Sequence, residues 1–133
     1  CALARAAGIP SRLALAHIRN HRVPPGLQAR LGTNEFPCHG YGQFLLDGRW
    51  VSAAPTFDAD LCARVGVPVV EFDGRSDALL PARALDGGPY VEYLEHHGHF
   101  ADLPLDFITS RTGRIWGHDK RAWLRPEDDT GYP

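Results

Sequence analysis

The sequence predicts an α+β fold, because it interleaves strong hairpin chemistry with short helix signals inside a length that suits one domain. The hairpin signal is Gly40-Tyr-Gly-Gln-Phe-Leu-Leu, then Asp47-Gly48, then Arg49-Trp-Val-Ser52. Asp-Gly readily supplies the two positive φ angles of a type I′ turn, so the flanking runs read as paired antiparallel strands. The helix signals are the Ala/Leu/Arg-rich start, stopped by Gly8-Ile9-Pro10, and the segment 57–64, with Asp58 as N-cap and Gly66 as terminator.

The other elements follow in chain order. Residues 1–7 read as the last turns of a helix, and Ser11 to Arg19, short and apolar after a proline, as a strand. Residues 23–37 hold three prolines and two glycines and read as a loop. Residues 67–72 read as a strand kept near an edge by Pro68. Residues 89–97 read as a helix with proline at its first position and Gly98 beyond its end. The domain is expected to span 1–110, and 111–133 to be a poorly ordered tail whose Trp116 and Trp123 are its candidates for docking.

Composition narrows the partners. Lys plus Arg number 14 against 16 Asp plus Glu, a formal charge of −2, so no basic surface points to nucleic acid or an anionic membrane. Apolar runs such as 65–70 are broken by Gly66 and Pro68 and are too short to span a bilayer. The 3 cysteines, Cys1, Cys38 and Cys62, form an odd set without CxxC spacing, which favours reduced thiols and a cytoplasmic setting. The chain has no methionine and starts in mid-pattern, so it reads as a piece of a longer protein lacking its N-terminal part.

A two-residue turn at Asp47-Gly48 sets the strand register. Leu46 faces Arg49, Gln43 faces Ser52, Tyr41 faces Ala54 and His39 faces Thr56. Side chains alternate, so His39, Tyr41, Gln43 and Leu45 share a face with Trp50, Ser52, Ala54 and Thr56. Ala54 then lies diagonal to His39 on the neighbouring strand, roughly 7–8 Å apart at the backbone, where an acid would orient an imidazole. Cys-His-Asp acyl transfer needs that arrangement: a histidine to activate a thiol and a third group to hold its tautomer.

The residues that fit it form an ordered series. Ala4-Arg-Ala-Ala-Gly-Ile-Pro-Ser-Arg12 resembles the segment after the nucleophile helix of the transglutaminase-like superfamily. His39-Gly-Tyr41, Leu46-Asp-Gly-Arg-Trp-Val51 and Ala54-Pro-Thr56 resemble its histidine strand, hairpin and acid-bearing stretch. Leu61-Cys62, Gly66-Val67, Glu71-Phe-Asp-Gly74, Glu92-Tyr-Leu94 and Phe100-Ala-Asp102 are similar to a bacterial branch of it, so the likeness runs over residues 1–107. The resemblance implies a papain-like fold in which an antiparallel sheet packs against the end of a nucleophile-bearing helix. It further implies thiol acyl transfer or hydrolysis on a peptide or protein substrate, with His39 as base and neither cofactor nor metal.

Three departures accompany the resemblance. Cys1 lies too near the helix end to be the nucleophile, which is expected upstream, so this stretch alone is expected to be inactive. Ala54 stands where the acid belongs, leaving Thr56, Tyr41 or Asp58 to orient His39, the last only if the strand bends back. Gln43 stands where the family often has an acid. A non-enzymatic module that keeps the cleft for peptide binding or as a scaffold is the alternative.

Other residues have plainer readings. Cys38, next to His39 in sequence, points to the opposite face, and it and Cys62 read as small buried apolar residues. Cys1 at a mature N-terminus would carry its own amine base, as in N-terminal nucleophile hydrolases, but the strand and hairpin motifs match another superfamily. His96-His97-Gly98-His99 lacks metal-ligand spacing and reads as a solvated helix end.

Overall fold

A computed structural model describes residues 1–116. The chain runs α1 (Ala2–Ala6), β1 (Ser11–Asn20), α2 (Pro25–Leu31), β2 (Glu35–Leu46), β3 (Arg49–Ala53), α3 (Ala59–Val65), β4 (Val91–Phe100) and α4 (Leu105–Trp116). The four strands form one antiparallel sheet in the order β3-β2-β1-β4, which makes the architecture α+β. No helix among the described residues is long and apolar enough to cross a membrane.

Several elements form as local chemistry dictates. Asp47 at φ 49° and Gly48 at φ 75° give the two positive angles of the hairpin turn, and Leu46 pairs with Arg49 beside it. The Asp58 carboxylate accepts the Leu61 N–H at 2.8 Å and caps α3, which Gly66 closes in the left-handed region.

Three segments differ from expectation. Within 23–37, Pro25 opens α2 at a position where its missing N–H costs nothing, Gly32 ends it, and β2 already begins at Glu35. Segment 67–72 forms no strand. The Val67 N–H returns to Cys62 O as part of the α3 terminus and Pro68 has none to offer, while the outer edge of β3 is met by Ala78. Segment 89–97 is not a helix, because β4 starts at Val91 and pairs along β1 from Asn20 to Leu13 with two irregularities. Without β4, β1 would expose a row of unpaired amides and carbonyls, and Val91 and Tyr90, each 2 % exposed, would lose burial worth about 2 kcal/mol apiece.

The last helix crosses the predicted domain boundary. α4 runs through Arg111 to Trp116, and the rest of the stretch read as a tail, with Trp123, lies outside the described residues.

The sheet has two covered faces. On one, Ala14, Ala16 and Ile18 of β1 and Tyr41 of β2 pack with Cys62 of α3 and with Val67 and Leu80 of the segment before β4. On the other, α4 lies against β2, and Phe107 meets His97 and Phe100 at ring distances of 5.2 and 5.5 Å. α1 buries no residue, and Leu3 is 88 % exposed.

Candidate active site

The hairpin register holds from Leu46↔Arg49 to Gly42↔Ala53, with Gln43 opposite Ser52. It ends there. The Ala54 N–H donates to Ala78 O, and Ser52 O accepts from Ala78, so the chain leaves β2 before Thr56 could stand opposite His39. Ala54, 5 % exposed, belongs to the hydrophobic core.

His39 faces the core side of the sheet, opposite Ala16 of β1. Its ring stacks 6.1 Å from Tyr41 and meets the edge of Tyr93 at 6.2 Å. His96 stacks on Tyr93 at 5.4 Å, and its Nδ1 lies 3.4 Å from the Tyr41 hydroxyl. The result is two tyrosines and two histidines contributed by β2 and β4 across β1.

The electrostatics of the cluster follow from desolvation. His39 Nε2 is buried and has no hydrogen-bond partner among the described residues. Burial without a counter-charge pulls the His39 pKa down to about 4, so the imidazole is neutral at pH 7. The Tyr41 hydroxyl is pushed up by burial and then by the Asp77 carboxylate; that of Tyr93 is raised by burial. Both tyrosines therefore remain O–H donors. A neutral imidazole with one nitrogen free, held among them, is poised to take or give a proton if a partner atom reaches Nε2.

The other predicted site residues are distributed as follows. Tyr41 stands beside His39. The Thr56 hydroxyl donates to Ala54 O at 3.1 Å, and the Asp58 carboxylate is engaged as the α3 cap. The Cys1 thiol donates to Arg12 O at 3.2 Å in an exposed position. Cys62 is buried with its thiol pKa raised by burial and by nearby Asp58, and burial also raises Cys38. No hydrogen bond joins any of the three to His39 among the described residues.

Tyr93, His96 and Asp77 had no place in the site as read from sequence. Tyr93 and His96 fell in the segment read as a helix, although Val91 and Tyr93 already show the two-residue apolar spacing of a strand. Asp77 accepts the Ser52 N–H at 2.6 Å along the β3 edge, a contact with no local sequence signal. The histidine run is not a solvated helix end: its members lie on β4, and the His97 side chain is only 1 % exposed. His97 Nε2 donates to Pro37 O at 2.8 Å, whereas Nδ1 sits 3.4 Å from a Glu95 oxygen without hydrogen-bonding geometry. No group of three or more His, Cys, Asp or Glu among the described residues is arranged to hold a metal ion.

Comparison with family models, with curated proteins and with solved structures finds no match.

Proposed function

We propose that this chain is the histidine-bearing part of a transglutaminase-like, papain-like domain that performs thiol acyl transfer or hydrolysis on a peptide or protein substrate. The observation that carries the reading is His39 Nε2, a buried ring nitrogen with no partner among the described residues: a buried polar atom normally has one, and an exception beside two tyrosines leaves room for a reacting group. The thiol is supplied from sequence N-terminal to Cys1. Arg5 bonds Ser11 O, and Cys1 bonds both Ser11 Oγ and Arg12 O, so α1 is anchored at the Ser11–Arg12 start of β1. From Ser11 to Ala16, the partner of His39, the strand advances about 17 Å. A helix continuing N-terminally along β1 would cover that distance in about eleven residues and reach the level of His39 several residues before Cys1.

The chemistry then runs in two steps. His39 takes the thiol proton, the thiolate attacks the amide carbonyl carbon, and the C–N bond breaks as imidazolium protonates the leaving amine. Water or a second amine, deprotonated by His39, next attacks the thioester and frees the thiol. A thiolate beside the ring would raise the low His39 pKa by favouring imidazolium, which makes the buried histidine a competent base only when its partner is present.

One observation favours a second reading, a peptide-binding module without turnover: Ala54 is a core methyl, and among the described residues no carboxylate bonds His39. The two are separated with the longer protein, assayed on activated acyl esters with an amine acceptor. His39→Ala is expected to reduce turnover by about 10²–10⁴-fold with the fold intact. Unchanged turnover in a folded variant would remove His39 as base, and absence of turnover in the parent would favour the binding module. The 133-residue chain alone is expected to be inactive. Activity lost on Cys1→Ala would instead make Cys1 the nucleophile.

A further inference from the structure

At the opposite end of the same sheet face, β1 and β2 carry a second group of polar residues. The Arg12 Nε–H donates to Gln43 Oε1 at 2.7 Å, and the Gln43 amide in turn donates to Ser52 Oγ at 3.2 Å. The Arg12 guanidinium lies over the Trp50 ring, 4.0 Å from its centroid. These contacts hold the guanidinium plane from one edge and one face. Among the described residues no acceptor meets its terminal nitrogens, and Arg12 forms no ion pair. Three other arginines are neutralised, Arg19 by Glu35 and Glu92, Arg22 by Asp86 and Arg111 by Glu95, while Arg49 and Arg5 bond backbone carbonyls.

The surroundings add no anion. Arg12 and Trp50 line an open depression of about 470 Å³ together with Arg5, Ser11 and His99, and no acidic residue lines it. Asp77, bonded to the Ser52 N–H, forms no ion pair with Arg12. Among the described residues the half-buried guanidinium has a neutral amide and an aromatic face as its side-chain partners and no carboxylate, so a bound anion would add a charge-assisted pair that the chain itself does not supply.

We propose that this depression binds a carboxylate, received end-on by the two terminal nitrogens of Arg12, with the group next to the carboxylate lying along Trp50. A carboxylate fits better than a phosphate because one planar fork is on offer. The neighbouring cation, Arg5, already spends Nε and Nη2 on the Ser11 and Ala101 carbonyls. The site stands on its own contacts and is read by binding alone, so its failure would leave the acyl-transfer reading untouched.

The test is an NMR titration of the full ¹⁵N-labelled chain, following the Arg12 Nε–H and Trp50 indole signals. The ligands are N-acetyl-Gly-Ala with a free C-terminus, the same dipeptide as its C-terminal amide, and acetate. The free acid is expected to shift both signals saturably and the amide to shift neither. Acetate binding as tightly as the peptide acid supports a small-molecule carboxylate as the source; preference for the peptide acid supports a chain terminus. Arg12→Gln is expected to weaken binding about 10- to 100-fold, the range for hydrogen bonds to a charged group. Because that variant removes a packing side chain, Gln43→Glu provides the second arm. It places a carboxylate on Arg12 within the chain, and is expected to abolish binding while leaving the chain folded. Equal binding of acid and amide, no binding by either carboxylate, or unchanged binding in folded Gln43→Glu overturns the proposal.

Discussion

Replacing His39 with phenylalanine is expected to change how stability depends on pH, and the sign follows from burial. In the unfolded chain the imidazole titrates near 6.5; in the fold burial lowers that to about 4. Between these values the unfolded state binds a proton that the folded state refuses, so unfolding becomes easier as pH falls. The native chain therefore has its full His39-linked stability above about pH 6.5, loses it progressively as the pH drops, and reaches a constant deficit below about pH 4. A shift of that size corresponds to about 3 kcal/mol at most, and partial solvation of the ring reduces it to about 2–3 kcal/mol. Phenylalanine removes both the titration and the unpartnered Nε2, in a site already walled by Tyr41 and Tyr93. Urea unfolding of both proteins at pH 7, 6, 5 and 4 measures the difference. The variant should match or exceed the parent at pH 7, and its advantage should widen by about 2–3 kcal/mol by pH 4. Other titrating groups are common to both proteins and cancel in the comparison. A pH-independent difference, or an NMR titration of His39 with a midpoint near 6.5, would refute the claim that its ring is buried and uncompensated.

Three further outcomes are expected. Asp58→Ala removes the carboxylate that holds the Leu61 N–H and should cost about 1 kcal/mol, seen as a lower Tm, with Asp58→Asn recovering most of it. Gly48→Ala forces a side chain into the left-handed region at φ 75° and should cost about 1–2 kcal/mol in urea unfolding; no loss would mean the turn adopts another conformation. Ala54→Asp should lower Tm, since it puts a carboxylate into the core, while raising the His39 pKa above 4 by favouring imidazolium. An NMR midpoint that stays near 4 would show that position 54 does not communicate with His39.

Elements whose causes lie within a few residues were legible in the amino-acid sequence by itself. The Asp47-Gly48 turn dictates its own φ angles and thereby the register out to Gly42↔Ala53, and Asp58 with Gly66 brackets α3 through contacts no farther than three or four residues away. The same alternation rule sent His39 and Tyr41 to one face and Cys38 to the other. What tertiary structure alone decided depends on partners distant in the chain. Pro89 and Gly98 are sound helix punctuation, yet residues 91–100 became β4 because pairing with β1 and burial of Val91 outweigh a few tenths of a kcal/mol of local preference per residue. That decision brought Tyr93 and His96 to Tyr41 and His39, more than fifty positions away in sequence, and made the environment of His39 aromatic. Pairing with Ala78, a second contact distant in the chain, drew the residues after Ala53 away from β2, which took Thr56 out of register and left His39 Nε2 without the partner that hairpin geometry had seemed able to supply. A turn is specified by its own two residues, whereas the charge state of a buried histidine is specified by whatever the rest of the chain packs around it.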